Sequence, residues 1–321
     1  MKIGFIGGHG HHYLTEILRD GDHDAAWAGD AHDNDAARAK CDRLGLTAWY
    51  DDARSMLERF RPDVVNIGAV YGYNGDAIAE VLERGIPVVS DKPVAATEAQ
   101  LERLRRLVTG DARLITEFPF RSRPPFRAAH DAVLAGRVGD PVLATAQKSY
   151  RFNARPAWFG DRAAYGGTML WVASHAIDAI EYVTGRRFIR VTGRGGNVAK
   201  PEYAEMEDHC VLIGELEGGA TAVVHADYLR PSGAETHGDD RLRLAGSTGV
   251  LEVRDGACSL IDISGNSVIH PAATPVPVGR ALLAAALGHD TSLYGTERSL
   301  RTAALLLACR RAADDETWVQ L

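Results

Sequence analysis

Over the first 120 residues, short apolar runs alternate with amphipathic stretches, a pattern that predicts β-α-β units and a parallel sheet. Ile3 to Gly7 reads as a buried first strand, and Leu14, Ile17 and Leu18 then recur at helical spacing. "DAAWAGD", Asp24 to Asp30, is a second strand ending in a carboxylate, with a helix behind it through Arg38 and Leu44. Arg61 to Ala69 and "IPVVSDKP" give two more strands on either side of a helix from Gly75 to Gly85. Thr97 to Val108 opens on a Thr-x-x-Gln capping box and continues as a helix, and Ala112 to Phe118 is the last strand of the series.

The rhythm changes at "PFRSRPPF", Pro119 to Phe126, a proline- and arginine-rich hinge. Helices follow near Arg127 to Gly136 and Gly167 to Thr184, then alternating strands: "FIRVTGRGG", "DHCVLIGEL", "GATAVVHADY", "RLRLAGSTGVLEV" and "ACSLIDI". Hairpin signals at Glu217-Gly218-Gly219 and Gly246-Ser247-Thr248-Gly249 predict an antiparallel sheet, and Ser299 to Ala313 a closing helix. The chain of 321 residues exceeds the usual size of one core, so two domains are expected, residues 1–120 and 121–321.

Charge and composition narrow the function. With 36 basic against 43 acidic side chains the net charge is −7, which argues against a nucleic-acid surface. The apolar runs Ala281 to Leu287 and Ala303 to Cys309 fall far short of the roughly 20 residues that span a bilayer. Met1 leads straight into strand-like residues, and Cys41, Cys210, Cys258 and Cys309 are scattered without a C-x-x-C pair. Both features point to a cytoplasmic protein with idle thiols.

"KIGFIGGHGHHYL" is a strand-turn-helix start in which Gly7, Gly8 and Gly10 supply part of a pyrophosphate-binding turn, while His9, His11 and His12 crowd it. A tight structural turn would also explain the glycines. Asp30 lies 20 to 23 residues further on, where a carboxylate accepts hydrogen bonds from an adenosine ribose and repels a 2′-phosphate, so NAD is expected over NADP. The histidine spacing lacks the i, i+4 face of a zinc helix, so no metal is expected and the imidazoles are read as lining the turn or capping the next helix. Lys92, at the carboxyl end of a parallel strand, points toward the crevice where such sheets bind ligands. In "YGGTMLWVASHAIDAIEYVTG", His175 and Asp178 share a helical face and Trp171 sits one turn before His175. His175 suits proton transfer with an alcohol; a core histidine, with Asp178 capping a neighbour, is the alternative.

The glycine turn, the strand-end acid, "DKP", the Pro-Arg junction, "RPAWF" and "YGGTMLWVASHAID" together resemble the Gfo/Idh/MocA family, named after glucose-fructose oxidoreductase and inositol dehydrogenase. The likeness runs through "AEMEDHCVLIGELEGGATAVVHADY" and "LRLAGSTGVLEV" and so spans nearly the whole chain. It implies an α/β protein: an N-terminal Rossmann domain binding NAD(P), followed by an α+β domain with a large open, mostly antiparallel sheet that covers the active site and often mediates homodimers or homotetramers. It also implies that Lys92 and His175 hold a sugar or cyclitol substrate and handle its proton. Asp91 stands where the family has Glu, Asn74 where many relatives have a histidine, and Trp171 where they have the aspartate one turn before the histidine. Trp171 can instead stack on a sugar ring. Arg123, Tyr150, Arg155, Trp158, Tyr228 and His237, in loops or strand ends past the junction, are candidate substrate contacts alongside Trp171 and Asp178. The expected activity is NAD-dependent hydride transfer at a polyol carbon. An NAD-retaining lyase or glycoside-cleaving enzyme and a non-catalytic sugar sensor are its competitors.

Overall fold

Six strands, β1 (Lys2–Ile6), β2 (Asp24–Ala28), β3 (Trp49–Tyr50), β4 (Val64–Ile67), β5 (Val88–Ser90) and β6 (Leu114–Thr116), form an all-parallel sheet in the order β3-β2-β1-β4-β5-β6. The helices α1 (His12–Ile17), α2 (Asn34–Arg43), α3 (Ala53–Arg59), α4 (Asn74–Leu82) and α5 (Glu98–Leu107) connect them. Ile3, Phe5, Val64, Val65, Val88, Val89, Leu114 and Ile115 are fully buried, as a parallel sheet covered on both faces requires. The strand order reverses between β1 and β4, which is where doubly wound sheets bind ligands at the strands' carboxyl ends. Asp33, Asp52 and Thr97 cap α2, α3 and α5 through their side chains. The capping box at α5 forms only half: Thr97 accepts from the Gln100 N–H, while the Gln100 side chain accepts from the N–H of Ala96.

The structure, a computed structural model, describes residues 1–21 and 23–321 and separates into two units. The first is Met1–Glu117 with Ala163–Gly166 and Val276–Ala304; the second is Phe118–Arg162, Gly167–Pro275 and Leu305–Leu321.

The second unit is built on nine strands, β7 (Pro141–Arg151), β8 (Phe188–Gly196), β9 (His209–Leu216), β10 (Thr221–Arg230), β11 (Gly238–Gly246), β12 (Val250–Arg254), β13 (Ala257–Asp262), β14 (Gly265–Ile269) and β15 (Val319–Gln320). Their order is β14-β13-β12-β11-β7-β10-β9-β8-β15, and every pair except β7 with β10 runs antiparallel. Along the chain lie α6 (Pro124–Leu134), the short α7 (Arg162–Tyr165) and α8 (Thr168–Trp171), and then α9 (Ala173–Thr184), every residue of which is buried. α9 packs on β7 and β10, the central strands of this sheet. The other sheet face leaves Leu143, Val211, Ile213 and Leu229 exposed. In the first unit, α10 (Val278–Ala286) closes against α1, where a Cβ on Gly279 would stand 2.2 Å from the carbonyl oxygen of Tyr13. The chain then enters α11 (Thr296–Asp314). No helix among the described residues is long and apolar enough to cross a membrane.

Candidate active site

The turn after β1 is held by the protein's own packing. A Cβ on Gly7 (φ +86°) would stand 2.4 Å from the carbonyl oxygen of Gly68, one on Gly8 2.5 Å from the Ala37 nitrogen, and one on Gly10 (φ +67°) 2.5 Å from Asp91 Oδ2. Only glycine admits these approaches. His11 takes φ +66° at the start of α1, yet its ring neither caps the helix nor faces a ligand. It is fully buried, with Nδ1 2.8 Å from Asn66 Oδ1 and Nε2 3.1 Å from the Gly7 carbonyl, edge-on to Phe5 and Trp27. The expectation that His11 lines the phosphate turn is therefore corrected: desolvation holds its pKa well below the usual value, and the neutral ring braces the turn from beneath. His9 pairs with Asp33 at 3.1 Å and lies edge-on to Tyr71, while His12 is exposed at the first position of α1. Burial lowers the pKa of His9.

The charge at this turn comes from a residue the sequence did not single out. Lys40, on α2, hydrogen-bonds the carbonyls of Gly8, at 3.3 Å, and of Gly10, and burial brings its pKa down to about 8. Asp30 follows β2; its Oδ1 accepts from the N–H groups of His32 and Asp33 and its Oδ2 from Val70 N–H at 2.8 Å, so it ties the loops after β2 and β4 together. An open cleft beside it is lined by Gly29, Asp30, Ala31, His32, Tyr73 and Asp76, with the His32 and Tyr73 rings stacked at 3.7 Å. A carboxylate and an open cleft at the reversal of strand order suit the adenosine end of a dinucleotide, and the glycine turn leaves its backbone beside them. The first unit thus fits the cofactor that the turn suggests.

Lys92, 4% exposed, follows β5 with its Nζ 3.4 Å from Asp91 Oδ1. Asn74 is buried as well. Its Nδ2 donates to Ser90 Oγ and to the carbonyls of Asp91 and Pro93, each at 2.9 Å, and its Oδ1 accepts from Ala69 N–H, so this side chain fixes the backbone around Lys92. Beneath lies Glu117, fully enclosed, with Oε1 accepting from Asn66 at 2.8 Å. Burial, with Asp91 adding repulsion, lifts its carboxyl to about 8. The folded chain therefore keeps a proton that the unfolded chain releases above the ordinary value of 4.5, so this group favours unfolding increasingly as pH rises from there to about 8. Glu117→Gln keeps the acceptor for Asn66 and removes that penalty. Its melting temperature is expected to exceed the parent's by several degrees at pH 8 and to match it near pH 4.5; equal shifts at both, by calorimetry, would refute the assignment.

In the second unit His175, 6% exposed, has its ring 6.1 Å from Phe118 and 5.6 Å from Phe120. Asp178, read as a substrate contact, is corrected to a structural role. Its carboxylate is buried and accepts both from Nε of Arg121, at 3.1 and 3.2 Å, and from Nη2. Of the other predicted contacts, Arg123 lies over the Phe120 ring and Arg155 over that of Trp171. Tyr150 stacks on His237 at 4.9 Å and lies 5.7 Å from Trp171. Tyr228, 2% exposed, stands behind Trp171, and Trp158 touches Phe159 at the edge of the group. Lys148 and Asp240 are additions: Lys148 Nζ lies 4.5 Å from the Tyr150 ring centroid and 5.1 Å from that of Phe120, and Asp240 pairs with both Lys148 and Arg123. Their pairing follows from the register of β7 with β11, which no local pattern reveals.

Two family models match the chain: an oxidoreductase family with an NAD-binding Rossmann fold over residues 1–117, and the GFO/IDH/MocA C-terminal domain over residues 126–252. A solved Thermotoga maritima protein, an assumed oxidoreductase, is 31% identical with complete coverage of both chains and a TM-score of 0.93. An inositol dehydrogenase homologue from Azotobacter vinelandii, solved with NAD+, shares the fold at 19% identity, with 100% of this chain and 97% of that one covered and a TM-score of 0.81. The D-glucoside 3-dehydrogenase of Escherichia coli K12 is 26% identical over 153 residues, 46% of this chain and 43% of its own length. The aligned stretch thus spans under half of that curated relative. Fold, motif order and these matches agree: the chain belongs to the Gfo/Idh/MocA family of NAD-binding oxidoreductases.

Proposed function

We propose that the protein is an NAD-dependent dehydrogenase acting on a hydroxyl-bearing carbon of a sugar, cyclitol or related polyol. The observation that carries this reading is Lys92, an ammonium almost fully buried at the carboxyl end of β5, where it forms an ion pair with Asp91 at 3.4 Å. An ammonium so placed donates to a substrate hydroxyl and steadies the negative charge that grows on its oxygen. His175 is the proposed acceptor of the hydroxyl proton. Glycines 7, 8 and 10, His9, His12 and Lys40 are proposed to surround the pyrophosphate and Asp30 the adenosine ribose. NAD, when bound, takes up the hydride from the carbinol carbon.

Incubation with NAD and a panel of polyols, read as NADH absorbance, tests the reading: at least one member should reduce the cofactor. Saturable NAD binding with no NADH from any member would sink it and favour a sensor. Asp30→Ala is expected to weaken NAD binding roughly 10-fold through the lost charged hydrogen bond, and to narrow the preference over NADP. Fluorescence titration with both reduced cofactors checks this, and an unchanged ratio would remove Asp30 from the site. The exposed apolar face carrying Leu143, Val211, Ile213 and Leu229 is proposed to meet a second copy of the chain; a monomer in sedimentation would overturn that.

A further inference from the structure

We propose that the substrate is anionic, a polyol bearing an oxyanion that Arg155 grips. The inference rests on the dehydrogenase reading above. The Arg155 guanidinium lies over four aromatic rings of its own unit, Phe152 and Trp171 at 5.9 Å and Phe159 and Tyr228 at 5.2 Å. Ring faces attract a cation without cancelling its charge. Among the described residues its guanidinium makes one hydrogen bond, a long one of 3.5 Å from Nη2 to the Arg151 carbonyl, its buried Nε finds no acceptor and no carboxylate pairs with it. Most of the fork of five donors is left over, and a planar fork matches an oxyanion.

The position fits a substrate contact. Trp171, one ring of the cage, lies one helical turn before His175. It occupies the place where the family resemblance implies an aspartate, and a carboxylate there would draw off the guanidinium's charge and repel an anion. The tryptophan does neither. The neighbourhood is cationic in a chain of net charge −7: Lys148 and Arg123 share the single carboxylate of Asp240, and Lys200 lies 4.8 Å over the Phe152 ring.

The test is steady-state kinetics with NAD on D-glucuronate, D-gluconate, D-glucose 6-phosphate, D-glucose and myo-inositol, for the parent, Arg155→Met and Arg155→Lys. An anionic member should exceed its neutral counterpart in kcat/KM. Arg155→Met should cut that ratio roughly 10- to 100-fold, mainly through KM, as loss of a charged hydrogen-bonded pair does, and Arg155→Lys should restore part of it. Acid over phosphate names a carboxylate as the source, and the reverse names a phosphoryl group; either supports the proposal. A neutral compound used as well as the anions, with a ratio that Arg155→Met leaves unmoved, overturns it and spares the dehydrogenase reading. If no compound reduces NAD, tryptophan fluorescence decides. Saturable quenching by glucuronate or glucose 6-phosphate that vanishes in Arg155→Met supports the anion site, and its absence in the parent refutes it.

Discussion

His175→Ala is expected to lower kcat by roughly 10²- to 10⁴-fold on the polyol substrate proposed above, the range a positioned general base contributes. Lys92→Met, which keeps most of the buried stem, should lower kcat/KM by about 10²-fold or more, because the ammonium's hydrogen bond strengthens as charge builds on the substrate oxygen. NAD affinity should change little in His175→Ala, which belongs to the other unit from the glycine turn. Single-turnover NADH formation, with circular dichroism to confirm folding, gives these numbers. Two folded variants that turn over within twofold of the parent would remove both residues from the chemistry.

The first sheet was legible because each of its longer strands is a local apolar run closed by a turn signal. β3 was not, since two residues carry no period, and α3 was missed with it. β7, the strand at the centre of the second sheet, escaped for a different reason. Lys148 and Ser149, on opposite faces, are both buried there by pairing with Asp240 and Asp227, so polar residues fill buried positions and the alternation is erased. α10 gave a seven-residue apolar run, weighed only as a membrane span, because nothing local says that it closes against α1. The site divides the same way. Lys92 and His175 stood out because their motifs come in a telling order along the chain. His11, Lys40, Asn74 and the cage around Arg155 take their meaning from partners up to 73 positions away, which only the folded chain brings together.

Asp178→Ala is expected to destabilise the second unit by about 3–5 kcal/mol, because it strands the Arg121 guanidinium in a site where the two side chains are 4% and 1% exposed. For a unit of this size that corresponds to a fall in melting temperature of roughly 6–20 °C. Arg121 would retain the face of Tyr182, 5.1 Å away, which does not replace a carboxylate. The double variant Arg121→Leu/Asp178→Leu should recover much of the loss, since an apolar pair of similar volume avoids desolvating two charges. Activity separates this role from packing alone. Asp178 lies one turn after His175 on α9, and Arg121 directly follows Phe120, whose ring packs on His175, so the ion pair fastens the loop to the helix at the imidazole. Even where the double variant melts like the parent, its kcat should stay below the parent's while KM moves little. A single variant melting within about 3 °C of the parent would show that the pair is not holding α9.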